Sequence, residues 1–363
     1  MLLKNVAILF IILFPLGECV LAQGKTENVV LITIDGLRWQ ELYKGADPEI
    51  MRNGSFVDDI HKTDSLFWSN DIKVRRQKLF PFIWSTVVQK GQIYGNRDLG
   101  NKVNLANRYW FSYPGYNELL TGKPDRRIRS NAKRVNPNET ILEFANQQKR
   151  FKDKVAVFAS WDVFHYIVNP KRSGIHVNAG NDTAEVRITS REKHLNRLQR
   201  NNPSPWKATR YDEFTHYYAK EYIKKNSPRL ILIAYGETDE FAHQGRYDEY
   251  LRTAYNTDKY IQDVWEWIQA DERYRNKTTL IITTDHGRGS GKRSWQHHGV
   301  GRAGSNHTWF AILGPDTEPL GEIKIKKHYY TKQLANTIAN LLNLNFPGNG
   351  SAEPLIAIGA NQE

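Results

Sequence analysis

NVVLITIDG at residues 28–36 is an unbroken β-branched and apolar run closed by Asp35 and Gly36. A run apolar at nearly every position, rather than at alternate ones, is the mark of a strand buried on both faces, as in a parallel sheet. Two more stretches repeat the pattern: RLILIAYGETDEFAH at 229–243, which delivers Asp239 and His243, and TTLIITTDHG at 278–287, which delivers Asp285 and His286. In an open α/β sheet the side chains that bind ligands collect beyond the carboxyl ends of the strands. Carboxylate oxygen and imidazole nitrogen gathered there suit divalent cations of borderline softness, Zn²⁺ among them.

Working outward, strands and helices alternate. VAVFAS at 155–160 is a further strand, and YDEYLRTAYNTDKYIQDVWEWIQA at 247–270 has a 3.6-residue apolar period that predicts a long helix. TKQLANTIANLLNLN at 331–345 predicts a second amphipathic helix, and LRWQELYKGAD after Gly36 opens a helix or turn. YPGYNELLTG at 113–122 reads as a helix started by Pro114 and stopped by Gly122. Residues 46–108 read as irregular, aromatic and basic, and residues 170–215 as an insertion over the sheet edge. The expectation is one α/β domain, residues 23–363, with a mostly parallel central sheet and local insertions near 46–108 and 170–215.

With 363 residues and 40% hydrophobic content, the chain has enough apolar mass for a sizeable core, which excludes a disordered protein and a membrane bundle. MLLKNVAILFIILFPLGECVLA at 1–22 has the charge, apolar stretch and small residues of a signal peptide cleaved after Ala22. The expectation is an exported protein, periplasmic or secreted, with no membrane span left after cleavage. The single cysteine, Cys19, falls in that segment, so no thiolate is left to hold a metal and no disulfide can form. A net charge of +12 and a pI near 9.5 favour anionic partners such as phosphate or sulfate esters. The basic residues are scattered, and no nucleic-acid-binding motif is present.

Two divalent ions roughly 4 Å apart can clamp a tetrahedral anion, an arrangement that needs about six or seven ligands. Asp35, Asp239, His243, Asp285 and His286 supply five, and His307 in GSNHTWFAILGPD, ahead of another apolar strand, supplies one more. His297 and His298 in SWQHHG compete with it. Ser112 in YWFSYPGYNELLTG is the candidate nucleophile, because a bound cation lowers a hydroxyl pKa and a helix start offers amides to an anion. Each residue has a plainer reading: Asp35 as a turn cap, Asp239 and His243 as an i, i+4 surface pair, Asp285–Gly287 as a tight turn, and Ser112 as an N-cap.

The ordered series IDG, an aromatic-Ser-Tyr-Pro stretch ending in LLTG, D-x-x-x-H, DHG, and a later His-Thr before a strand resembles the alkaline phosphatase superfamily. Its nucleotide pyrophosphatase/phosphodiesterase and cofactor-independent phosphoglycerate mutase branches are the nearest in motif. The resemblance spans about residues 28–345 and implies a three-layer fold and two divalent ions, Zn²⁺ or Mn²⁺. It implies Asp35, Ser112, Asp285 and His286 around one ion, and Asp239, His243 and His307 around the other. It also implies that Asn117 holds a substrate oxygen, although Tyr-Pro-Gly-Tyr-Asn stands here where the phosphodiesterases have Phe-Pro-Asn.

The implied activity is hydrolysis of a small phosphate ester, mono- or diester, through phosphorylated Ser112. The alternatives are a sulfatase, a phosphotransferase or mutase of the same superfamily, or a non-catalytic anion-binding protein. The mature chain lacks the cysteine that most sulfatases convert to formylglycine, and the stretch from Ser112 to Asp239 is too short for the second domain of the mutases.

Overall fold

The computed structural model describes residues 24–347 and 353–355; the expected signal peptide lies outside them. Strands β1 (Asn28–Ile34), β2 (Gln92–Tyr94), β3 (Lys102–Asn104), β4 (Val155–Ala159), β5 (His176–Ala179), β6 (Leu230–Tyr235), β7 (Thr278–Thr283), β8 (His307–Thr308), β9 (Phe310–Leu313), β10 (Gly321–Glu322) and β11 (His328–Tyr330) form two sheets. The larger has the order β10-β2-β9-β7-β1-β6-β4-β5, and the smaller is β11-β3-β8. Only β9 runs against its neighbours in the large sheet, so that sheet is mostly parallel.

The side chains of β1 alternate between two cores, as a sheet covered on both faces requires. Val30, Ile32 and Ile34 join one core, Val29 and Leu31 the other. Helix Tyr247–Ala270 covers the first face with Tyr250, Ala254, Ile261, Val264 and Ile268, spaced three, four or seven apart, as one helical stripe demands, and with Leu251 beside them. Helices Ser112–Thr121, Ile141–Gln147 and Gln333–Leu341 cover the second face. Each buried Val, Leu or Ile contributes about 1.5–3 kcal/mol. The architecture is the expected three-layer α/β fold.

Residues 46–108 depart from the irregular reading. They hold helices Pro48–Met51, Ile60–Phe67 and Ile72–Leu79, a π-helical turn at Ile83–Val87, and β2 within the large sheet. Asp47, Asp59 and Asp71 each cap one of these helices, and each helix is too short for its periodicity to show. The 170–215 segment is likewise more than an insertion, because β5 forms one edge of the sheet and helix Ser190–Asn201 starts with a Thr189–Glu192 capping box.

Asp258, fully buried on helix Tyr247–Ala270, accepts hydrogen bonds from the amides of Phe82 (2.7 Å) and Ile83 (2.9 Å). Burial outweighs those two bonds and pushes its carboxyl up to about 7. A carboxyl raised in the folded state contributes stability that is fully present below its unfolded pKa, about 3.9, and is lost as pH rises through the folded value. Urea unfolding of the wild type should therefore show stability falling between pH 4 and pH 8. Asp258→Asn should flatten that slope while losing about 1–3 kcal/mol overall for one unmatched amide. Equal slopes in the two proteins would remove Asp258 as the cause.

Candidate metal centre

Strands β1, β6 and β7 are adjacent, and Ile34 pairs with Tyr235 while Thr33 pairs with Thr283. Their carboxyl ends therefore lie at one edge, and the residues that follow converge. Asp35, Asp285 and His286 form one buried group of possible ligands, and Asp239, His243 and His298 form a second.

In the first group, His286 Nδ1 donates to the Gly287 carbonyl oxygen at 2.8 Å, which orients the ring and turns Nε2 into the site. Nε2 faces carboxylate oxygens of Asp35 at 3.3 Å, Asp285 at 3.6 Å and Asp239 at 3.9 Å. Asp285 Oδ1 is used, accepting from the amides of Gly36 (3.1 Å) and His286 (2.9 Å). Asp35 Oδ1 and Asp285 Oδ2 are buried without a hydrogen-bond partner. Lone pairs pointed at lone pairs in a buried site repel unless a cation lies among them, so the donor set fits a divalent ion. Burial, and then the neighbouring carboxylates, push both Asp35 and Asp285 well above the usual carboxylate range.

The second group adjoins the first through Asp239, whose Oδ1 lies 3.9 Å from His286 Nε2. His243 Nε2 lies 3.2 Å from Asp239 Oδ2 and 2.9 Å from His298 Nε2. The His298 ring stacks on His286, with centroids 4.1 Å apart. Burial raises the Asp239 carboxyl, but Arg288, His298 and His243 outweigh it and hold the group well below the ordinary range.

Ser112 occupies the first position of its helix, and Phe111 is the N-cap, so the serine is not the cap of the plainer reading. Its Oγ lies 3.3 Å from His286 Nε2, and the residue is 4% exposed. Three features set it there. Gly115 lets the helix press against the end of β7, where a Cβ would stand 2.3 Å from the Asp285 carbonyl oxygen. Glu118, six residues after Ser112, accepts from the amides of Ala106 and Asn107 at 2.7 Å each and so ties the preceding loop to the helix. Trp110 adopts a left-handed backbone (φ 56°), held by Asn107 Oδ1, which accepts from its amide at 3.1 Å. A left-handed bulky residue two positions before the candidate serine is the kind of conformation functional sites retain.

The structure thus brings Asp35, Ser112, Asp239, His243, Asp285 and His286 together, and leaves two other candidates outside. His307 belongs to neither ligand group. It lies on β8 of the small sheet opposite Asn104, and burial with Arg97 and Lys102 nearby lowers its imidazole to about 4. Neighbouring cations make that a poor place for a metal, and His298 completes the second group instead. Asn117 is fully buried with its amide committed: Nδ2 donates to the Lys123 carbonyl oxygen (3.2 Å), and Oδ1 accepts from Asn138 (3.0 Å). It cannot hold a substrate oxygen in this state. Arg288, Glu118 and Asn107 carry no local signal in the sequence, where Arg288 is one more scattered basic residue.

A cavity of about 930 Å³ between helices Ser190–Asn201 and Asp212–Asn226 is lined by Leu195, Leu198, Tyr211, Phe214 and Tyr217 and by none of the site residues. Among the described residues, no helix is long and apolar enough to cross a membrane.

Comparison with known proteins agrees with this architecture. A family model described as Sulfatase matches residues 110–344. A 2,3-bisphosphoglycerate-independent phosphoglycerate mutase of Gracilaria tenuistipitata var. liui is 30% identical over 125 residues, covering 34% of this chain and 23% of the mutase, so the match spans under a quarter of that relative. A mutant of the alkaline phosphatase PafA superposes with a TM-score of 0.59 at 10% identity, covering 92% of this chain and 99% of that one. Murine ectonucleotide pyrophosphatase / phosphodiesterase 5 superposes with a TM-score of 0.55 at 14% identity, covering 89% and 97%. At such identities the structural likeness speaks for the fold. Because the matched residues 110–344 make up more than half of the 363, the chain belongs to the sulfatase family, with a fold like that of these two structures.

Proposed function

We propose that this protein hydrolyses small phosphate esters, mono- or diesters, with Ser112 as nucleophile and divalent metal ions, Zn²⁺ or Mn²⁺, held by Asp35, Asp285 and His286 and by Asp239, His243 and His298. The observation that carries the reading is His286 Nε2 ringed by three aspartate side chains, with Ser112 Oγ 3.3 Å away. When bound, such ions supply positive charge for the ester oxygens and the leaving group and lower the pKa of the serine hydroxyl.

The protein's own part is positional. Gly115 and Glu118 hold Ser112 at the strand ends, and its buried Oγ attacks phosphorus in line as the bond to the leaving alkoxide breaks. Water then cleaves the phosphoserine, returning the hydroxyl and releasing phosphate or a monoester. A serine at position 112, and the absence of any cysteine beyond Cys19, favour phosphoryl over sulfuryl transfer, although the family match is to sulfatases. We also infer export, from the signal-like residues 1–22.

Chromogenic phosphomonoester, phosphodiester and sulfate-ester substrates, assayed with Zn²⁺ and with Mn²⁺, test the reading. Phosphate-ester turnover lost to a chelator and regained with metal is the expected result. Turnover of the sulfate ester alone would make the protein a sulfatase, and turnover of none with metal bound would end the hydrolase reading.

A further inference from the structure

Arg288 lies one residue beyond the Asp285-His286-Gly287 turn, yet it is 1% exposed and its guanidinium sits inside the second ligand group. Nε donates to the Trp295 carbonyl oxygen at 2.8 Å, Nη2 to the Gln296 carbonyl oxygen, and Nη1 to Asp239 Oδ1. Nη2 also lies 3.5 Å from His243 Nδ1. The side chain is held on three sides, and a guanidinium in a protein keeps its charge at any ordinary pH.

We propose that Arg288 is a resident cation of the second ligand group, so that the centre takes one ion tightly at Asp35–Asp285–His286 and a second, at Asp239–His243–His298, far more weakly. This rests on the metal-dependent reading above. Asp239 is the one carboxylate of the second group, and Arg288 is already paired with it. The group is part-exposed, but an ion arriving there meets the positive charge of a buried Arg288 fixed on its one carboxylate, and like charges that close repel. Two imidazoles bring no negative charge to offset that repulsion. The first group has two carboxylates of its own, and Arg288 is bonded to neither. The guanidinium also gives Asp239 a permanent partner, so the second group stays ordered whether or not an ion is bound.

Chelator-stripped protein titrated with Zn²⁺ in a calorimeter, with bound metal counted by atomic emission after gel filtration, tests the proposal. The wild type should show one tight site and a second roughly 100-fold weaker, the scale expected of one like charge nearby. Arg288→Gln, which removes the charge, should tighten the second site at least tenfold, and Arg288→Lys, which keeps it, should leave the inequality in place. Two wild-type sites of equal affinity would overturn the proposal, as would an unchanged second site in Arg288→Gln. If Arg288→Gln does not fold, the wild-type ratio and the lysine variant decide the matter. Absence of any tight Zn²⁺ site would end the metal-dependent reading and the proposal with it, a different result from two equal sites.

Discussion

Ser112→Ala is expected to lower phosphate-ester turnover by roughly 10³-fold or more and to abolish any phosphoenzyme, while leaving the fold and metal content near wild type. The separation of effects follows from where the serine sits. Phe111, not Ser112, is the N-cap, and alanine is well tolerated in a first helical turn, so the helix Ser112–Thr121 loses little. The ligand atoms of Asp35, Asp285 and His286 are positioned by β1 and β7, independently of the serine hydroxyl. What is lost is the one hydroxyl within reach of His286 Nε2, at 3.3 Å. Rapid acid quench with labelled substrate checks the intermediate, and elemental analysis checks the metal. A variant that turns over at the wild-type rate, or still labels, would remove Ser112 from the reaction.

How much of this was legible in the sequence depended on whether local chemistry or long-range folding set each feature. The strands β1, β6 and β7 were legible because burial on both faces demands apolar residues at every position, and the acids and imidazoles at their ends stand out against such runs. Helix Tyr247–Ala270 was legible to the residue, because one long stripe contacts one core. The choice between His298 and His307 was not. It turns on how the 288–305 loop folds back, through Gly289 donating to the His297 carbonyl oxygen and Arg288 anchored on residues 295 and 296, and no local pattern encodes those contacts. Asn117 shows a different limit. It lies five residues after Ser112, and at 100° per residue it points roughly 140° away around the helix, where its amide bonds Lys123 and Asn138 instead. Arg288 was hidden by its residue type, since burial of an arginine depends on partners that only the folded chain supplies.

Metal removal is expected to have the other large effect, on stability as well as on turnover, and Asp285→Asn should separate the two. With no cation present, the carboxylates of Asp35, Asp239 and Asp285 crowd His286 Nε2 in a buried site. An ion that binds this arrangement and not the unfolded chain stabilises by mass action, about 4 kcal/mol when its concentration is 1,000 times its Kd. Chelation should therefore lower the Tm by several degrees and stop turnover, both reversibly. Asparagine at 285 keeps an oxygen for the amides of Gly36 and His286 and replaces the orphaned Oδ2 with an N–H group. That exchange removes a repelling charge and a ligand at once. The metal-free variant should melt no lower than metal-free wild type, gain little on adding Zn²⁺ or Mn²⁺, and turn over at least ~10³-fold more slowly. Calorimetric scans of both proteins with and without metal check this, and an equal metal-induced rise in the two would show that Asp285 is not a ligand.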